Sequence, residues 1–307
     1  MKGFTRGDRV AVMPVLGCET RGIKELCRPC REGRSGNCEN FAEGNLPPGM
    51  FTGICSGVSG GFAPVVAVHK SQLFRVPDRM SPESAVMTEP VAVALQTVFD
   101  NMPAKDEHVL VMGGGVIGNL IVQSIRALAP SCIITVVEPS PFAAELCFAS
   151  GADIVMGPSD IFPETAKLAG TKFYQPLLGM KIPMGGYHRI YDTVGNSATM
   201  NVSLRILATL GTLSMVGIAG DVKLDLTPLW LKLQTIKGVY SYGTVTYRGK
   251  RQHVFDVAID LMMKKKIHAE QLVTHKFHLE DYHRMIDVNI HKAAHKAVKT
   301  VVSFNGL

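Results

Sequence analysis

The stretch that decides the fold is His108-Val-Leu-Val-Met-Gly-Gly-Gly-Val-Ile-Gly-Asn-Leu-Ile-Val-Gln123. The run Val109–Met112 is apolar and rich in β-branched residues, which predicts a buried strand. Gly113, Gly115 and Gly118 then lead into an apolar helical pattern. Between a strand and a helix, the first glycine allows a tight turn, the second lets the backbone approach a pyrophosphate, and the third lets the helix pack close to the strand. This context predicts a dinucleotide-binding turn.

The residues after this turn indicate which dinucleotide is bound. Val116 and Ile117 open the helix, and their free backbone N–H groups would face the pyrophosphate. A second strand-like run ends at Glu138, 20 residues after Gly118. An acid there accepts hydrogen bonds from the ribose 2′-hydroxyl of NAD and repels the 2′-phosphate of NADP, and no Arg or Lys follows within Pro139–Glu145. The sequence therefore predicts NAD, and an ordinary acid at a strand end is the alternative for Glu138.

The same alternation of strand and helix extends over residues 94–241. Its segments are Val109–Met112, Asn119–Ala129, Ile133–Val137, Pro141–Ser150, Ile190–Val194, Ala198–Ala208 and Leu213–Val216. Strands separated by helices in this rhythm build a doubly wound parallel sheet. We predict an α/β protein with a Rossmann domain over residues 94–241.

The flanking regions have a different composition. Residues 1–93 are rich in Gly, Pro and Cys and contain short strand-like runs at Arg9–Met13 and Pro64–Val68, which predicts an irregular, mostly β region. After Tyr242 a helical pattern runs through Met263. The predicted elements beyond it are a strand at Leu272–Phe277, a helix from about Leu279 and a final strand at Lys299–Phe304.

Four of the seven cysteines lie close together, at Cys18, Cys27, Cys30 and Cys38. Four thiolates on a short polar loop, two of them as Cys-x-x-Cys, can close a tetrahedral zinc site, and a site closed by four thiolates is structural because it leaves no open position. Cys18 is the least certain ligand, and a small buried apolar residue is its alternative. The isolated Cys55, Cys132 and Cys147 are expected to be buried and inert. Clustered cysteines in a reducing cytoplasm indicate metal rather than disulfides.

Composition excludes several classes of protein. The 307 residues carry 32 Lys and Arg against 26 Asp and Glu, a net charge of +6, and the basic residues are scattered apart from Lys264–Lys266. A solvated helix end explains that run better than a nucleic-acid patch does. No apolar run reaches the 18 or so residues that a membrane span needs, and the charged N-terminus does not match a signal peptide. We expect a cytoplasmic protein with no nucleic-acid or membrane partner.

Several motifs in this order resemble the zinc-containing alcohol dehydrogenase-like family of the medium-chain dehydrogenase/reductase superfamily. Besides the cysteine lobe and the glycine-rich turn, they are Gly7–Val10, Gly60–Ala63, Val76–Asp78, Glu89–Pro90, Asp192–Gly195 and Leu279–Asp281. The resemblance implies a barrel-like (GroES-like) catalytic domain with the NAD-binding Rossmann domain inserted in it. The domains would then be 1–93 with a zinc lobe at 18–38, 94–241, and 242–307 as the return to the catalytic domain. It also implies a homo-oligomer, a dimer or a tetramer.

Two features depart from the family's pattern. The first ligand of its cysteine lobe usually lies three residues before the second, where this chain has Lys24, so Cys18 would have to reach in from upstream. In addition, the family's first catalytic-zinc ligands, a Cys and a His followed by Glu, precede the segment that corresponds to Gly7–Val10, with which this chain nearly begins. We therefore expect a chain that lacks the front of its catalytic domain and is catalytically poor.

Glu89 corresponds to a third catalytic-zinc ligand in polyol- and threonine-dehydrogenase-like members of the family. A carboxylate is a chemically suitable zinc ligand, and an ordinary acid at a helix start before Pro90 is the alternative. The five histidines from His275 to His295 match no closed metal set by their spacing, so we expect exposed or hydrogen-bonded residues there. The resemblance also places Val194 and Val216 near the nicotinamide ring.

The predicted function is hydride transfer between NAD(H) and a small secondary alcohol, polyol or ketone. In the family a catalytic zinc polarises the substrate oxygen, so that the alkoxide can pass hydride to the nicotinamide. Two alternatives stay open. One is a zinc-independent reductase of the same superfamily, although such members usually lack the cysteine lobe. The other is an inactive NAD-binding fragment with a structural zinc.

Overall fold

The protein divides into two compact units. A computed structural model describes residues 3–175, 181–218 and 220–304. Unit 1 comprises Met1–Gln96 and Tyr240–Leu307, and unit 2 is the intervening segment Thr97–Val239. These divisions fall within three residues of the boundaries expected near 93 and 241.

The strands and helices of the described residues are numbered in chain order. The strands are β1 Val10–Val12, β2 Leu73–Arg75, β3 His108–Met112, β4 Ile133–Val137, β5 Ile154–Met156, β6 Tyr187–Asp192, β7 Leu207–Met215, β8 Thr235–Gly238, β9 Thr244–Tyr247, β10 Lys250–His253, β11 Val273–His278 and β12 Lys299–Ser303. The α-helices are α1 Arg28–Arg31, α2 Pro82–Val86, α3 Thr88–Asp100, α4 Val116–Leu128, α5 Pro141–Ala149, α6 Ile161–Leu168, α7 Ser197–Ile206, α8 Thr227–Leu231, α9 Val254–Met263, α10 Tyr282–Ile290 and α11 Lys292–His295.

Unit 2 is built on a six-stranded sheet. Its spatial order is β5-β4-β3-β6-β7-β8, and every neighbouring pair is parallel. The chain moves outward from β3 to β5 and then returns to the other side of β3 with β6, so the topological switch point lies between β3 and β6. Ligands of such sheets bind outside the carboxyl ends of the strands at that point. The predicted α/β fold class is confirmed by this sheet.

Local sequence explains why the helices of unit 2 begin where they do. The α4 helix starts directly after the glycine turn and is buried on all sides over residues 118–125, which include Leu120, Ile121 and Ile125. The α7 helix is capped by Asn196, whose side chain accepts a hydrogen bond from the Thr199 N–H at 2.9 Å. Capping satisfies N–H groups that the first helical turn leaves without a partner.

Unit 1 contains three strand pairs in its described part. The β1 and β2 strands pair antiparallel, β9 and β10 form an antiparallel hairpin, and β11 and β12 are parallel. An aromatic cluster joins the two parts of the chain that make up this unit: the ring of Phe255 lies 4.8 Å from that of Phe74 and 5.0 Å from that of Tyr242. The ring of His253 packs 4.6 Å from that of Phe74. These contacts hold the C-terminal segment against the N-terminal one, as aromatic packing does elsewhere in cores.

Two sequence-based element predictions in the flanking regions were wrong, and a third was displaced by about three residues. Residues 64–68 form no strand, and Val65 is 80% exposed, because no neighbouring strand pairs with this run among the described residues. The helix expected from Tyr242 to Met263 begins only at Val254, after the β9–β10 hairpin. The helix expected from about Leu279 is a short 3₁₀ turn at Leu279–Asp281 followed by α10.

The search of the described residues for membrane-spanning helices was negative: none of their helices is both long enough and apolar enough to cross a bilayer.

The start of β6 provides a test of the sheet. Gly186 has φ +152°, and a Cβ there would lie 1.8 Å from the carbonyl oxygen of Ile206 at the end of α7. We expect Gly186→Ala to destabilise the protein by about 3 kcal/mol, because backbone strain and a backbone clash combine. Gly238→Ala is the matched control, since Gly238 lies in the same sheet and a Cβ there would meet nothing within 4 Å. Equal urea midpoints for the two variants would contradict this description of β6.

Candidate functional site

The glycine-rich turn after β3 is shaped by steric contacts that only glycine permits. Gly113 has φ +92°, and a Cβ there would lie 2.7 Å from Thr193 Oγ1. A Cβ on Gly118 would lie 1.9 Å from the carbonyl oxygen of Gly113. By contrast, a Cβ on Gly115 would meet nothing within 4 Å, and in the described part of the chain no side chain caps the start of α4. The turn therefore presents open space and backbone N–H groups where a pyrophosphate binds in such folds.

Glu138 and Asn119 brace this turn from two sides. Glu138 lies directly after β4, and its carboxylate accepts hydrogen bonds from the Gly114 N–H at 2.7 Å and from the Ser140 N–H at 2.8 Å. Asn119, fully buried in α4, donates to the Gly114 carbonyl at 2.6 Å. Sequence reasoning found Glu138 but missed Asn119, although a polar residue within an otherwise apolar helical stretch was a visible signal.

The loops after β6 and β7 lie next to each other at the same sheet edge. Asp192, fully buried, accepts hydrogen bonds from the N–H groups of Val194 and Gly195 through its carboxylate, both at 2.9 Å. Its carbonyl oxygen accepts from the N–H groups of Val216 and Gly217, also at 2.9 Å. Asp192 thus fixes both loops at the carboxyl edge, where Val194 is 44% exposed. Its role in the site was not predicted.

The four cysteines of the predicted zinc lobe come together in unit 1. The Sγ atoms of Cys18, Cys27, Cys30 and Cys38 all lie within 4.8 Å of one another, and none of the four forms a disulfide. The Sγ atoms of Cys18 and Cys38 are 3.5 Å apart, and those of Cys27 and Cys38 are 3.9 Å apart. Four sulfurs bound to one tetrahedral zinc at about 2.3 Å would be separated by about 3.8 Å. The arrangement fits a zinc ion, and Cys18 occupies the fourth position.

The thiols of this cluster differ in their acidity. Burial acts to raise the pKa of Cys27, but backbone hydrogen bonds from Cys30 and Glu39 outweigh it and lower this pKa to about 7. Burial and the neighbouring Cys18 raise the pKa of Cys38 to about 11, and burial also raises that of Cys30. A metal ion bound here therefore displaces protons from Cys30 and Cys38, and its energy of binding becomes energy of folding.

A buried arginine organises the loop around the cluster. Arg21 is 0% exposed, and its guanidinium donates to the carbonyl oxygens of Leu16, Glu43, Leu46 and Pro47 at 2.9–3.3 Å and to that of Gly49. Because the planar guanidinium has five N–H donors, one side chain can satisfy several buried carbonyl groups at once. Arg21 was not singled out in the sequence, since a single arginine carries no local signal of burial.

Glu89 lies in the first turn of α3, beside Tyr242 and Lys299. Burial raises the pKa of the Glu89 carboxyl, whereas the nearby Tyr242 hydroxyl and the Lys299 charge act in the opposite direction. Burial also lowers the pKa of the Lys299 ammonium, and the Glu89 charge opposes that shift. Within the described residues, Glu89 belongs to no group of three or more Cys, His, Asp or Glu donors. A catalytic zinc at Glu89 would need further ligands beyond those the described residues bring to it.

Most of the remaining candidate residues lie apart from these sites, but the Cys147 sulfur packs 4.0 Å from the Gly114 carbonyl oxygen of the glycine-rich turn. Cys55, Cys132 and Cys147 are buried, as expected. The ring of His69 contacts Ser71 at a short 3₁₀ turn, and Lys264 pairs with Asp260 at the exposed end of α9. One group of C-terminal histidines does have a carboxylate neighbour, contrary to the expectation from spacing: His291 and His295 lie within reach of Asp287.

Comparison with known proteins identifies the family of this chain. Residues 1–78 match the family described as alcohol dehydrogenase GroES-like domain, and residues 116–264 match the family described as zinc-binding dehydrogenase. The chain belongs to the zinc-containing alcohol dehydrogenase-like family. It is therefore an oxidoreductase of the medium-chain dehydrogenase/reductase superfamily whose family model describes zinc binding, and the sequence-based predictions of the family, of the enzyme class and of zinc are confirmed.

Individual relatives agree with this family. The chain is 27% identical over 284 residues to L-idonate 5-dehydrogenase of Vitis vinifera, a match that covers 90% of this chain and 67% of the relative. It is 26% identical over 284 residues to sorbitol dehydrogenase of Arabidopsis thaliana, covering 90% of this chain and 68% of the relative. Its fold matches the crystal structure of 2R,3R-butanediol dehydrogenase from Bacillus subtilis with a TM-score of 0.76 and 25% identity, covering 99% of this chain and 76% of that one.

The four-sulfur cluster allows a direct test of the zinc lobe of this dehydrogenase. We expect Cys27→Ser to lose one tightly held zinc per chain and to lower the melting temperature, because a structural zinc contributes directly to folding free energy. Chelation should have the same effect on the unmodified protein. The measurements are metal content by mass spectrometry after dialysis and thermal unfolding.

Cys55→Ser is the matched control for this experiment, since Cys55 is also a buried cysteine of unit 1 but lies outside the cluster. It should keep the zinc. A Cys27→Ser protein with full zinc content and unchanged melting temperature would rule the site out.

Proposed function

We propose that this dehydrogenase transfers a hydride between NAD(H) and a secondary alcohol, polyol or ketone, and that the residues named above carry the reaction. The observation that supports this most is the convergence at one edge of the unit 2 sheet. The glycine turn, Glu138 and the loops after β6 and β7 all lie at the carboxyl ends of its central strands. This is where doubly wound sheets bind dinucleotides.

Each group at this edge has a distinct part in the proposal. The N–H groups at the start of α4, with Val116 and Ile117, hold the pyrophosphate, and Gly113, Gly115 and Gly118 leave room for it. Glu138 accepts hydrogen bonds from the adenosine ribose. Two of its oxygens already hold backbone N–H groups, so its position is fixed before the cofactor binds.

The ring-binding part of the proposal rests on the loops that Asp192 fixes. Val194 and Val216, at the ends of β6 and β7, are proposed to flank the nicotinamide, where apolar side chains exclude water from the hydride path. Their backbone N–H groups are both held by Asp192, which limits their motion.

Glu89 is the proposed catalytic-zinc ligand of unit 1. Together with further ligands, Glu89 would hold a zinc ion that would supply Lewis-acid polarisation of the substrate oxygen, and NAD in the unit 2 site would supply the hydride acceptor. The chain's own part is to place the Glu89 carboxyl in a buried position, where burial raises its pKa and the nearby Tyr242 hydroxyl and Lys299 charge oppose that shift only in part.

We further propose that the protein works in the cytoplasm as a homodimer or homotetramer. Seven free cysteines, four of them clustered, support a reducing compartment, where thiolates are kept available for metal. The oligomeric state follows from the resemblance to the family.

A second candidate function is NAD binding without turnover, with zinc only in the cysteine lobe. It is favoured by one observation: in the part of the chain that the structure describes, no two further Cys, His, Asp or Glu donors join Glu89. Because a zinc held too loosely does not place its substrate, this candidate predicts a good cofactor site and little chemistry.

An activity assay separates the two candidates. We expect the 307-residue chain to form NADH from NAD⁺ only slowly with vicinal diols or linear polyols, and Glu89→Ala to lower kcat/KM by more than about tenfold, because a lost ligand disturbs zinc placement at least as much as a lost supporting residue does. Glu280→Ala, which removes an exposed acid of the same unit, should leave it unchanged. NADH binding without any NADH formation would favour the second candidate, and absence of cofactor binding would contradict both.

Cofactor preference is tested separately by binding. We expect the unmodified chain to bind NADH more tightly than NADPH, and Glu138→Ala to reduce this ratio by about 10–100-fold, since a hydrogen bond to a charged group contributes about 1.5–3 kcal/mol. The ratio of the two dissociation constants, measured by fluorescence titration, is the readout, because it cancels any general loosening of the turn. Glu145→Ala is the control of equal charge change, as Glu145 is an exposed residue of α5. Equal constants for the two cofactors in the unmodified chain would refute the role of Glu138.

A further inference from the structure

Three potential metal ligands repeat at four-residue spacing near the C-terminus of the chain. Asp287 lies in α10, His291 lies between α10 and α11, and His295 ends α11. Helical hydrogen bonds continue across the junction: the His291 N–H donates to the Asp287 carbonyl at 3.0 Å, and the His295 N–H donates to the His291 carbonyl at 3.1 Å. Residues four apart on a helix share one face, so the three side chains stack along one line.

The donor atoms of these side chains converge. His291 Nδ1 lies 3.0 Å from one carboxylate oxygen of Asp287, and His295 Nε2 lies 3.4 Å from the other. One donor atom from each of the three residues lies within 4.8 Å of the others. Around an ion with bonds of about 2.1 Å, neighbouring ligand atoms are about 3.0–3.4 Å apart in octahedral or tetrahedral geometry. The spacing of the carboxylate and imidazole atoms fits a coordination sphere as well as it fits direct contacts between Asp287 and the two histidines.

The donor set selects a class of ion. Two imidazole nitrogens with one carboxylate suit Zn²⁺, Co²⁺, Ni²⁺ or Cu²⁺, whereas Mg²⁺ and Ca²⁺ prefer oxygen ligands alone. Three protein ligands leave at least one coordination position for water or for a group from another molecule. The exposed fractions of the three side chains, 56% for Asp287, 59% for His291 and 40% for His295, leave that position accessible from solvent.

We propose that Asp287, His291 and His295 form a second metal site, for an exchangeable divalent transition-metal ion. It is distinct from the cysteine cluster in its ligands, in its exposure and in its place in the chain. A bound ion would join the end of α10 to α11 and hold the hydrogen-bonded junction at His291. Since α11 leads into β12, the ion would stabilise the approach to the last strand of unit 1.

Cobalt binding to the zinc-loaded protein tests this proposal. The protein is prepared without a polyhistidine tag, which would itself bind Co²⁺, and with zinc already bound in its cysteine cluster. It is then equilibrated with Co²⁺ by dialysis. We expect one Co²⁺ per chain beyond the tightly held zinc, with no thiolate-to-cobalt charge-transfer band, because the ligands are nitrogen and oxygen. His291→Ala, His295→Ala and Asp287→Ala should each weaken this binding by about tenfold or more.

His283→Ala is the matched control, because His283 is an exposed histidine of α10 outside the cluster. It should bind Co²⁺ like the unmodified protein. As a second readout, Co²⁺ should slow amide hydrogen exchange over residues 287–296 in the unmodified protein and in His283→Ala, but not in His291→Ala.

Three results would overturn the proposal. The first is that the unmodified protein binds no additional Co²⁺, which would leave only ion pairs between Asp287 and the two histidines. The second is an equal loss of Co²⁺ binding in His283→Ala and His291→Ala. The third is an additional Co²⁺ that disappears in Glu89→Gln but persists in His291→Ala.

Discussion

The contact on which the nucleotide-binding unit depends is the approach of α4 to the end of β3. The Cα of Gly118 lies so close to the carbonyl of Gly113 that a methyl group would be 1.9 Å from its oxygen. This close approach places the start of α4 beside the end of β3. The first N–H groups of the helix therefore lie at the sheet edge between β3 and β6. Glu138 reaches the same turn from the neighbouring strand and bonds to Gly114. Two glycines and one acid thus shape the pyrophosphate end of the proposed cofactor site, whereas Asp192 fixes the loops proposed to flank the nicotinamide.

Unit 1 and unit 2 are each stabilised internally, and the interactions that do so differ between them. Unit 2 has a parallel sheet whose central strands are buried, and its core residues, among them Leu110, Ile190 and Leu213, are 0% exposed. The loop region of unit 1 instead relies on polar centres. Arg21 satisfies the carbonyl groups of a chain that makes few regular hydrogen bonds, and four sulfurs converge close by in the sequence. Small polar lobes commonly need such a centre, because they bury too little apolar surface to fold by packing alone.

Sequence predicted unit 2 well because each of its elements carries its own signal. The apolar runs of β3 and β4 agree with the predicted strands to within one residue, and the glycine spacing and Glu138 identified the turn. Flanking elements were predicted less well. The run Pro64–Val68 has the composition of a strand but no partner strand, and the β9–β10 hairpin lies where a helical pattern was extended too far. Strand formation depends on a partner that local sequence does not name.

The sequence by itself determined the groups on which the proposed function rests: a glycine-rich turn between a strand and a helix, an acid 20 residues after it and four thiols in one loop. These are short-range patterns, in which the spacing along the chain already places the groups together. Tertiary structure alone decided that Cys18 joins the other three sulfurs, that Arg21 and Asn119 are buried hydrogen-bonding centres, and that Asp287 completes a cluster with His291 and His295. Whether a polar side chain lies in water or beside a partner depends on the packing of the rest of the chain. That packing is cooperative, so it cannot be predicted from any single position in the sequence.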